Sequence, residues 1–179
     1  MDQPLTRIAA QAEPAPTVDR ANFRDAMARL GSAVCIVTSD GASGLAGCTA
    51  TAVCSVTDDP PTLIVCLNRT SRNNAVIREN GRLCVNVLGA ADEAVARTFA
   101  DGSLTIDQRF AGAPSNIPPG GSPALEDAAA TIQCDIAEIA EVGSHSVFYC
   151  RVRAIDLGSD KGGLVYLGRS FHAIAPTTD

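Results

Sequence analysis

The chain has 179 residues, of which 46% are hydrophobic and 19% charged, values that suit one globular domain with a real core. Its formal net charge is −6 and no basic cluster stands out, which argues against nucleic acid or an anionic membrane as a partner. No apolar run approaches the ~20 residues of a membrane span, and no apolar signal core opens the sequence, so we expect a cytoplasmic protein.

The first part of the chain predicts a flexible segment, a helix and two strands. Residues 1–20 are rich in proline and alanine, and we expect them to be flexible, with a single domain following over 21–175. Apolar residues at helical spacing predict a helix over 20–30. Residues 33–41 predict a strand that enters a turn, and β character resumes over 46–56.

The middle of the chain predicts a strand, a helix and another strand. Residues 62–68 are apolar at nearly every position, as expected of a strand buried on both faces. Residues 71–80 predict a helix that begins after the N-cap Ser71 and ends at Gly81. Another strand is predicted over residues 82–88.

The rest of the chain predicts one more helix and three long strands. A helix over 91–100 precedes residues 101–123, which are rich in proline and glycine and predict a loop or lid. The apolar alternation slips in phase within 131–141, which indicates a β-bulge. Residues 145–157 alternate regularly, and 163–174 predict the last strand.

These elements amount to about seven strands and three helices. Several strands follow one another without a helix between them, which argues against a doubly wound parallel sheet. The pattern favours a mostly β protein, an antiparallel barrel with peripheral helices.

The seven cysteines and two histidines show no metal or hydrolase pattern. No CxxC pair occurs, the histidines are not at ligand spacing, and most cysteines lie in apolar runs, so we expect reduced core residues and no metal site. A nucleophilic cysteine or serine finds little support, because no GxSxG elbow is present. Residues 41–47, GASGLAG, precede a strand instead of a helix and predict a hairpin turn, not a dinucleotide-binding loop.

The segment AGCTATAVCSV, residues 46–56, is the sharpest candidate for a binding site. Its small residues Gly47, Ala50 and Ala52 let another object approach the backbone, and the hydroxyls at 49, 51 and 55 can satisfy polar atoms. A flat heteroaromatic ligand would suit such a wall. A tightly packed strand of small residues explains the same pattern.

Two further segments each support two interpretations. In NRTSRNN, residues 68–74, hydroxyls and arginines surround a helix start, which suits an anion such as phosphate or an ordinary polar N-cap. His145 opens a strand after a Gly-Ser turn. It is either a polar group at a pocket mouth or a turn histidine bonded to backbone.

Taken together, several segments resemble the short-chain flavin reductases, the small components of two-component flavin monooxygenases. The matching segments are FRDAMARLGSAVCIVTSDG, GLAGCTATAVCSVTDDPPTLIVCLNRTS, GRLCVNVL, ARTFA with RF, VGSHSVF and GLVYLGRSFH, which extend over about residues 22–174. The reductase components of 4-hydroxyphenylacetate 3-monooxygenase and of chlorophenol monooxygenases are similar, as is the pyrimidine-utilisation flavin reductase.

The resemblance implies a homodimeric split β-barrel of the FMN-binding type that reduces FAD or FMN with NADH or NADPH. The reduced flavin would diffuse to a separate monooxygenase that acts on an aromatic substrate. Carried over by motif, the flavin edge would be held by Thr49, Ala50, Thr51 and Ala52, with Ser55 in support. The phosphate side would be reached by Ser71 and Arg72. The first strand would approach the flavin or nicotinamide at Ser32 and Ala33. The nicotinamide would be met by Gly143, Ser144 and His145, and Tyr166 and Arg169 would lie beside the cofactors.

The chain departs from frequent family patterns at three places. It has Thr-Ala-Thr where Thr-Ala-Asn is frequent, Cys48 where other members carry Met, Ile or Leu, and Gly-Ser-His in place of Gly-Asp-His. We expect these changes to shift selectivity. The residues leave two choices open. Arg69 and Arg72 could each bind an extra phosphate or be solvated. A non-enzymatic flavin carrier, or an oxidase that keeps its flavin, would share the same fold.

Overall fold

The computed structural model describes residues 18–176, so the predicted flexible segment lies outside the described residues up to position 17. The helices are α1 (Arg20–Met27), α2 (Arg72–Asn80), α3 (Glu93–Ala100) and α4 (Ile106–Phe110). The strands are β1 (Ser32–Ala33), β2 (Cys35–Ser39), β3 (Ala46–Ala50), β4 (Val53–Asp58), β5 (Pro61–Asn68), β6 (Arg82–Val87), β7 (Ser115–Asn116), β8 (Ala124–Leu125), β9 (Ala130–Val142), β10 (His145–Leu157), β11 (Gly163–Leu167) and β12 (Ser170–Ile174). None of the helices described over 18–176 is long and apolar enough to cross a membrane.

The architecture is mostly β, as predicted, and every strand pair is antiparallel. Seven strands form the main sheet in the order β3-β2-β6-β9-β10-β5-β4, while β1-β11-β12 and β7-β8 form two smaller sheets. The edge strands β3 and β4 are consecutive in sequence and joined only by Thr51 and Ala52. The sheet therefore curls until its edges meet at this corner. It is not a closed barrel, because no ladder between β3 and β4 is present within residues 18–176.

Local signals placed several elements correctly. Ser71 caps α2 by accepting a hydrogen bond from the Asn73 N–H, and Gly81 ends the helix in the left-handed conformation, with φ +68°. The predicted bulge is present in β9: Glu138 pairs with Tyr149 and Ile136 pairs with Cys150, so Ala137 is the extra residue.

The expected single strand over 163–174 is instead the hairpin β11–β12. Its two-residue turn is Gly168–Arg169, with both φ angles near +60°. Positive φ at both turn residues matches the twist of the flanking strands, which favours a tight hairpin over a continuous strand.

The loop expected over 101–123 contains the short helix α4. Thr105 and Gln108 form a capping box there, in which the Thr105 hydroxyl accepts from the Gln108 N–H and the Gln108 side chain accepts from the Thr105 N–H. The sequence TIDQ carried that signal among the prolines and glycines. The predicted loop or lid over 101–123 therefore includes a helix at residues 106–110 that the sequence reading did not assign.

The core has two parts, one inside the curl of the main sheet and one beneath α3. Strand β5 supplies Leu63, Val65 and Leu67 to the first part, while Ile64 and Cys66 are only half-buried. The prediction that this strand is buried on both faces was wrong for the single chain, because its outer face lacks a covering layer among the described residues.

Candidate functional site

A cavity of about 410 Å³ opens at the corner where β3 ends. Three of the residues predicted from sequence line it, namely Thr49, Thr51 and Tyr166. Its other lining residues are Arg97, Ala100, Asp101 and Phe171. The cavity therefore joins the end of β3 to helix α3 and the hairpin β11–β12.

Strand pairing brings a fourth predicted residue to this corner. In the β1–β11 ladder Ser32 lies opposite Tyr166, and Ala33 lies opposite Val165. Directly paired residues of antiparallel strands share a face of the sheet, so Ser32 and Tyr166 lie on the same face. Ser32 is half-buried and Ala33 is exposed.

One wall of the cavity is aromatic and carries a cation. The rings of Tyr166 and Phe171 meet edge to face with centroids 5.1 Å apart, and the Arg97 guanidinium lies 4.9 Å from the Phe171 centroid. Arg97 is also paired with Glu93 at 2.7 Å, one helical turn away. This wall offers a π surface and a positive charge to a flat ligand.

The end of β3 presents main chain and small side chains to the cavity. Thr51 and Ala52 lie between the last ladder pair of β3, at Ala50, and the first of β4, at Val53. Ala52 is exposed, whereas Ala50 is buried in the core. The Thr49 hydroxyl donates to the Ala96 carbonyl at 2.5 Å, so toward a ligand it can act only as an acceptor. A flat edge can therefore rest against this segment.

Gly47 has a different neighbour from the one expected. A Cβ at this position would lie 2.7 Å from the ring of Phe99 and 3.0 Å from the ring of Phe110. These two rings pack edge to face, with centroids 5.0 Å apart. The absent side chain at Gly47 makes room for core aromatics, not for a ligand.

A second cavity, of about 170 Å³, lies at the start of α2. Arg72 and Arg109 are both among its lining residues. Arg109 donates to the carbonyls of Gly47 at 2.9 Å and Asp101 at 2.7 Å, and within residues 18–176 its buried Nε has no hydrogen-bond partner. Two cations beside a helix N-terminus suit an anion. Ser71 caps the helix next to this cavity but does not line it.

The turn Gly143–Ser144–His145 lines neither cavity. The Ser144 hydroxyl and the His145 Nδ1 are 2.9 Å apart. Its link to the first cavity runs across the sheet: the Cys66 N–H donates to the Ala52 carbonyl at 2.9 Å, and Cys66 pairs with Val147, two residues from His145. At usual strand spacing this places His145 roughly 10 Å across and 7 Å along the sheet from Ala52.

Two other predicted residues line neither cavity. Ser55 is exposed on the edge strand β4. Arg169 stands in the β11–β12 turn with φ +64°, and its guanidinium pairs with Asp25 of α1 at 2.5 Å. The roles assigned to Ser55 and Arg169 from the resemblance stay predictions.

Sequence reasoning did not single out four of the cavity residues, among them Arg97 and Phe171 of the aromatic wall. Both lie in segments that carried the resemblance, ARTFA and GLVYLGRSFH. Neither segment alone indicates that its side chain reaches the corner of β3, because the two are brought together only by the packing of α3 against the β11–β12 hairpin.

The cysteines behave as core residues. All seven are free, and Cys35, Cys84, Cys134 and Cys150 are buried. Burial raises the pKa of the Cys35 and Cys48 thiols to about 11, and the Arg109 charge lowers that of Cys48 only in part. Cys48 packs against the inner core. Among residues 18–176 no group of three or more His, Cys, Asp or Glu side chains could hold a metal.

We expect one cysteine to react quickly with a water-soluble aromatic disulfide at neutral pH. Cys54 is the exposed thiol, whereas Cys48 and Cys66 are half-buried and the other four thiols are buried, which shields them from the reagent. Absorbance of the released thiolate should show one fast equivalent in the folded protein and seven after denaturation. The Cys54→Ser variant should lose the fast phase; two or more fast equivalents in wild type would contradict the burial of the others.

The comparisons with known proteins agree with the geometry. Residues 27–175 match the family described as flavin reductase like domain. A protein named FMN reductase (NADH) RutF, from Ancylobacter novellus, is 44% identical over 176 residues, covering 98% of this chain and 97% of that protein.

Two solved structures share the fold. The NADH:FAD oxidoreductase SgcE6 of Streptomyces globisporus, in complex with NAD and FAD fragments, has a TM-score of 0.82 and 27% identity, covering 94% of this chain and 100% of that one. BorF, the flavin reductase component of a bacterial two-component tryptophan halogenase, has a TM-score of 0.82 and 25% identity, covering 89% of this chain and 100% of that one.

Proposed function

The chain belongs to the flavin reductase like domain family, and on that premise we propose that it transfers a hydride from NADH to FMN and releases the reduced flavin to a separate oxygenase. It is a flavin reductase enzyme that uses flavin and NADH. The observation that carries the proposal is the cavity at the end of β3, where Thr49 and Thr51 face the aromatic wall of Tyr166 and Phe171.

The residues of this corner fit a flavin. Hydride transfer from nicotinamide C4 to flavin N5 is chemistry that the two reactants bring with them, so the protein needs to bind and orient them. The exposed segment Thr51–Ala52 can meet the polar edge of the ring system with its main chain. Tyr166 and Phe171 shield the opposite side from water. Binding and orienting the two reactants in this way requires no paired acid and base in the site.

The second cavity is a candidate site for the flavin phosphate. Arg72 and Arg109 place two positive charges at a site of about 170 Å³, which suits a single phosphate group. The name of the Ancylobacter novellus relative also specifies FMN and NADH. Arg69, one candidate for an extra phosphate of NADPH, instead forms an ion pair with Glu141 at 3.1 Å and donates to the Gly143 carbonyl at 3.2 Å.

We propose a separate oxygenase as the recipient of the reduced flavin, and the printed role of BorF as one component of a two-component system supports this. The printed names of the relatives do not agree on one aromatic substrate. The aromatic substrate of the recipient oxygenase therefore stays a prediction. The cytoplasmic location stays a prediction as well.

We also propose a homodimer. Within residues 18–176, α1 buries none of its side chains, and Phe23 and Met27 are 58% and 46% exposed. Leu30 just beyond the helix is 62% exposed. A second copy of the chain would remove this apolar surface from water.

Anaerobic mixing with NADH and a large excess of free FMN tests the proposed function. A reductase that releases its product should bleach all of the free flavin, monitored by absorbance near the flavin band. Bleaching limited to one equivalent per chain would contradict the proposal and favour a flavin carrier or an oxidase that keeps its flavin.

We expect the His145→Ala variant to raise the KM for NADH by about tenfold, a loss of roughly 1.4 kcal/mol in binding, with kcat reduced by no more than about threefold. The reason is that His145 tunes nicotinamide binding, while the hydride step needs no general acid. His172→Gln, at the other histidine, is the control. Abolished turnover with unchanged NADH affinity would show that His145 does more than bind.

A further inference from the structure

Three elements meet at the tip of the β9–β10 hairpin. The carboxylate of Glu141, just before the turn, accepts hydrogen bonds from Arg78 and Ser146 and forms an ion pair with Arg69. Arg69 follows β5, Arg78 lies on α2, and the fully buried Ser146 follows His145 on β10. One carboxylate thus ties the hairpin tip to both neighbouring elements.

Arg69 also binds the turn itself. Its main-chain N–H donates to the Ser144 carbonyl at 2.9 Å, and its Nη1 donates to the Gly143 carbonyl at 3.2 Å. Its Nε lies 3.1 Å from the Glu141 carboxylate. A single residue therefore holds two successive carbonyls of the turn and the acid that precedes them.

The charges reinforce this arrangement. The hydrogen bond from Arg78 holds the pKa of the Glu141 carboxyl below its usual range, with Ser146 and the Arg69 charge acting in the same direction. An isolated exposed ion pair contributes little to stability. This carboxylate instead completes a network of polar and charged groups from three elements. The network holds the turn directly before His145, which the proposed function places at the nicotinamide.

From these contacts we propose that Arg69 and Glu141 are positioning residues for NADH, acting through His145. This clamp, defined as Arg69, Glu141 and Arg78, holds the turn so that the His145 ring starts from one fixed backbone position. The proposal rests on the proposed function, in which His145 meets the nicotinamide. It gives Arg69 a role other than binding an extra phosphate.

The test compares Arg69→Met and Glu141→Gln with a matched control, Asp135→Asn. Asp135 pairs with Arg153 at 3.2 Å across the same two strands, far from the turn, and both partners are about half exposed. We expect Arg69→Met and Glu141→Gln to raise the KM for NADH about fivefold, with the KM for FMN within about twofold of wild type. Asp135→Asn should change neither constant.

Two further variants separate positioning from general destabilisation. Arg69→Lys keeps the charge facing Glu141 but cannot also reach the Gly143 carbonyl with a planar fork, so its KM for NADH should fall between wild type and Arg69→Met. In the His145→Ala background, Arg69→Met should cause no further rise, because both changes act through one side chain. Additive effects, or equal rises in the KM for NADH and for FMN, would overturn the proposal.

Hydrogen exchange tests the clamp independently of enzyme activity. The amides of residues 143–146 should exchange faster in Arg69→Met and Glu141→Gln, while those of β5 keep their protection. Unchanged exchange at the turn would overturn the clamp whatever the enzyme does. Faster exchange with an unchanged KM for NADH would overturn its role toward NADH. A wild-type protein without turnover would instead refute the proposed function.

Discussion

Replacing Ala52 by phenylalanine is expected to raise the KM for FMN by about tenfold or more, with little change in the melting temperature. Ala52 is exposed, lies outside the strand ladders and neighbours Thr51 of the site cavity. A phenyl ring there would occupy space that the flavin edge needs against the backbone, at a cost of about 1.4 kcal/mol for each factor of ten. Steady-state kinetics with FMN as the varied reactant measure the effect.

The same change at Val56 provides the matched control. Val56 lies on the edge strand β4 that follows Ala52, is 53% exposed and does not line the cavity. Val56→Phe should leave the KM for FMN within about twofold of wild type. If Ala52→Phe behaves like Val56→Phe, the flavin edge does not rest on this segment, and the assignment of residues 49–52 is wrong.

Predictions that depended on local chemistry matched the structure closely. Ser71 and Gly81 set the bounds of α2 because an N-cap hydroxyl and a left-handed glycine act on their own helix. The phase slip within 131–141 located the bulge at Ala137, since strand alternation is also local. The mostly β, antiparallel architecture followed from the order of these elements.

Predictions that depended on packing between distant segments were less complete. The sequence shows that Gly47 is small, but only the fold reveals that the rings of Phe99 and Phe110 fill its space. The cavity residues Arg97 and Phe171 are likewise 74 positions apart and meet through a cation–π contact. Neither contact can be predicted from a single sequence, because both arise from the way α3 and α4 pack on the sheet.

Part of the candidate cavity was anticipated from the sequence, while the binding roles of its residues stay predictions. Thr49, Thr51 and Tyr166 share one cavity, and strand pairing brings Ser32 beside Tyr166. Motif order could not show that the turn bearing His145 lines neither cavity, since that depends on how far the sheet curls between β4 and β10.

We expect Gly47→Ala to be the most destabilising single-methyl change near the site. Its Cβ would lie 2.7 Å from Phe99 and 3.0 Å from Phe110, closer than a side chain tolerates, and both rings are held by core packing. Overpacking of this kind typically costs about 1–3 kcal/mol. For a chain of this size that corresponds to a melting temperature lowered by roughly 3–10 °C.

Gly102→Ala is the matched control, because a Cβ at Gly102 would meet no described atom within 4 Å. Thermal unfolding followed by circular dichroism should show a clear drop for Gly47→Ala and almost none for Gly102→Ala. The displaced Phe99 lies on α3, whose Ala96 carbonyl accepts from Thr49, so Gly47→Ala should also raise the KM for FMN. Equal melting temperatures for the two variants would mean that the Phe99 and Phe110 rings move aside without cost. Core packing would then not explain why residue 47 is a glycine, and contact with a ligand would be the alternative.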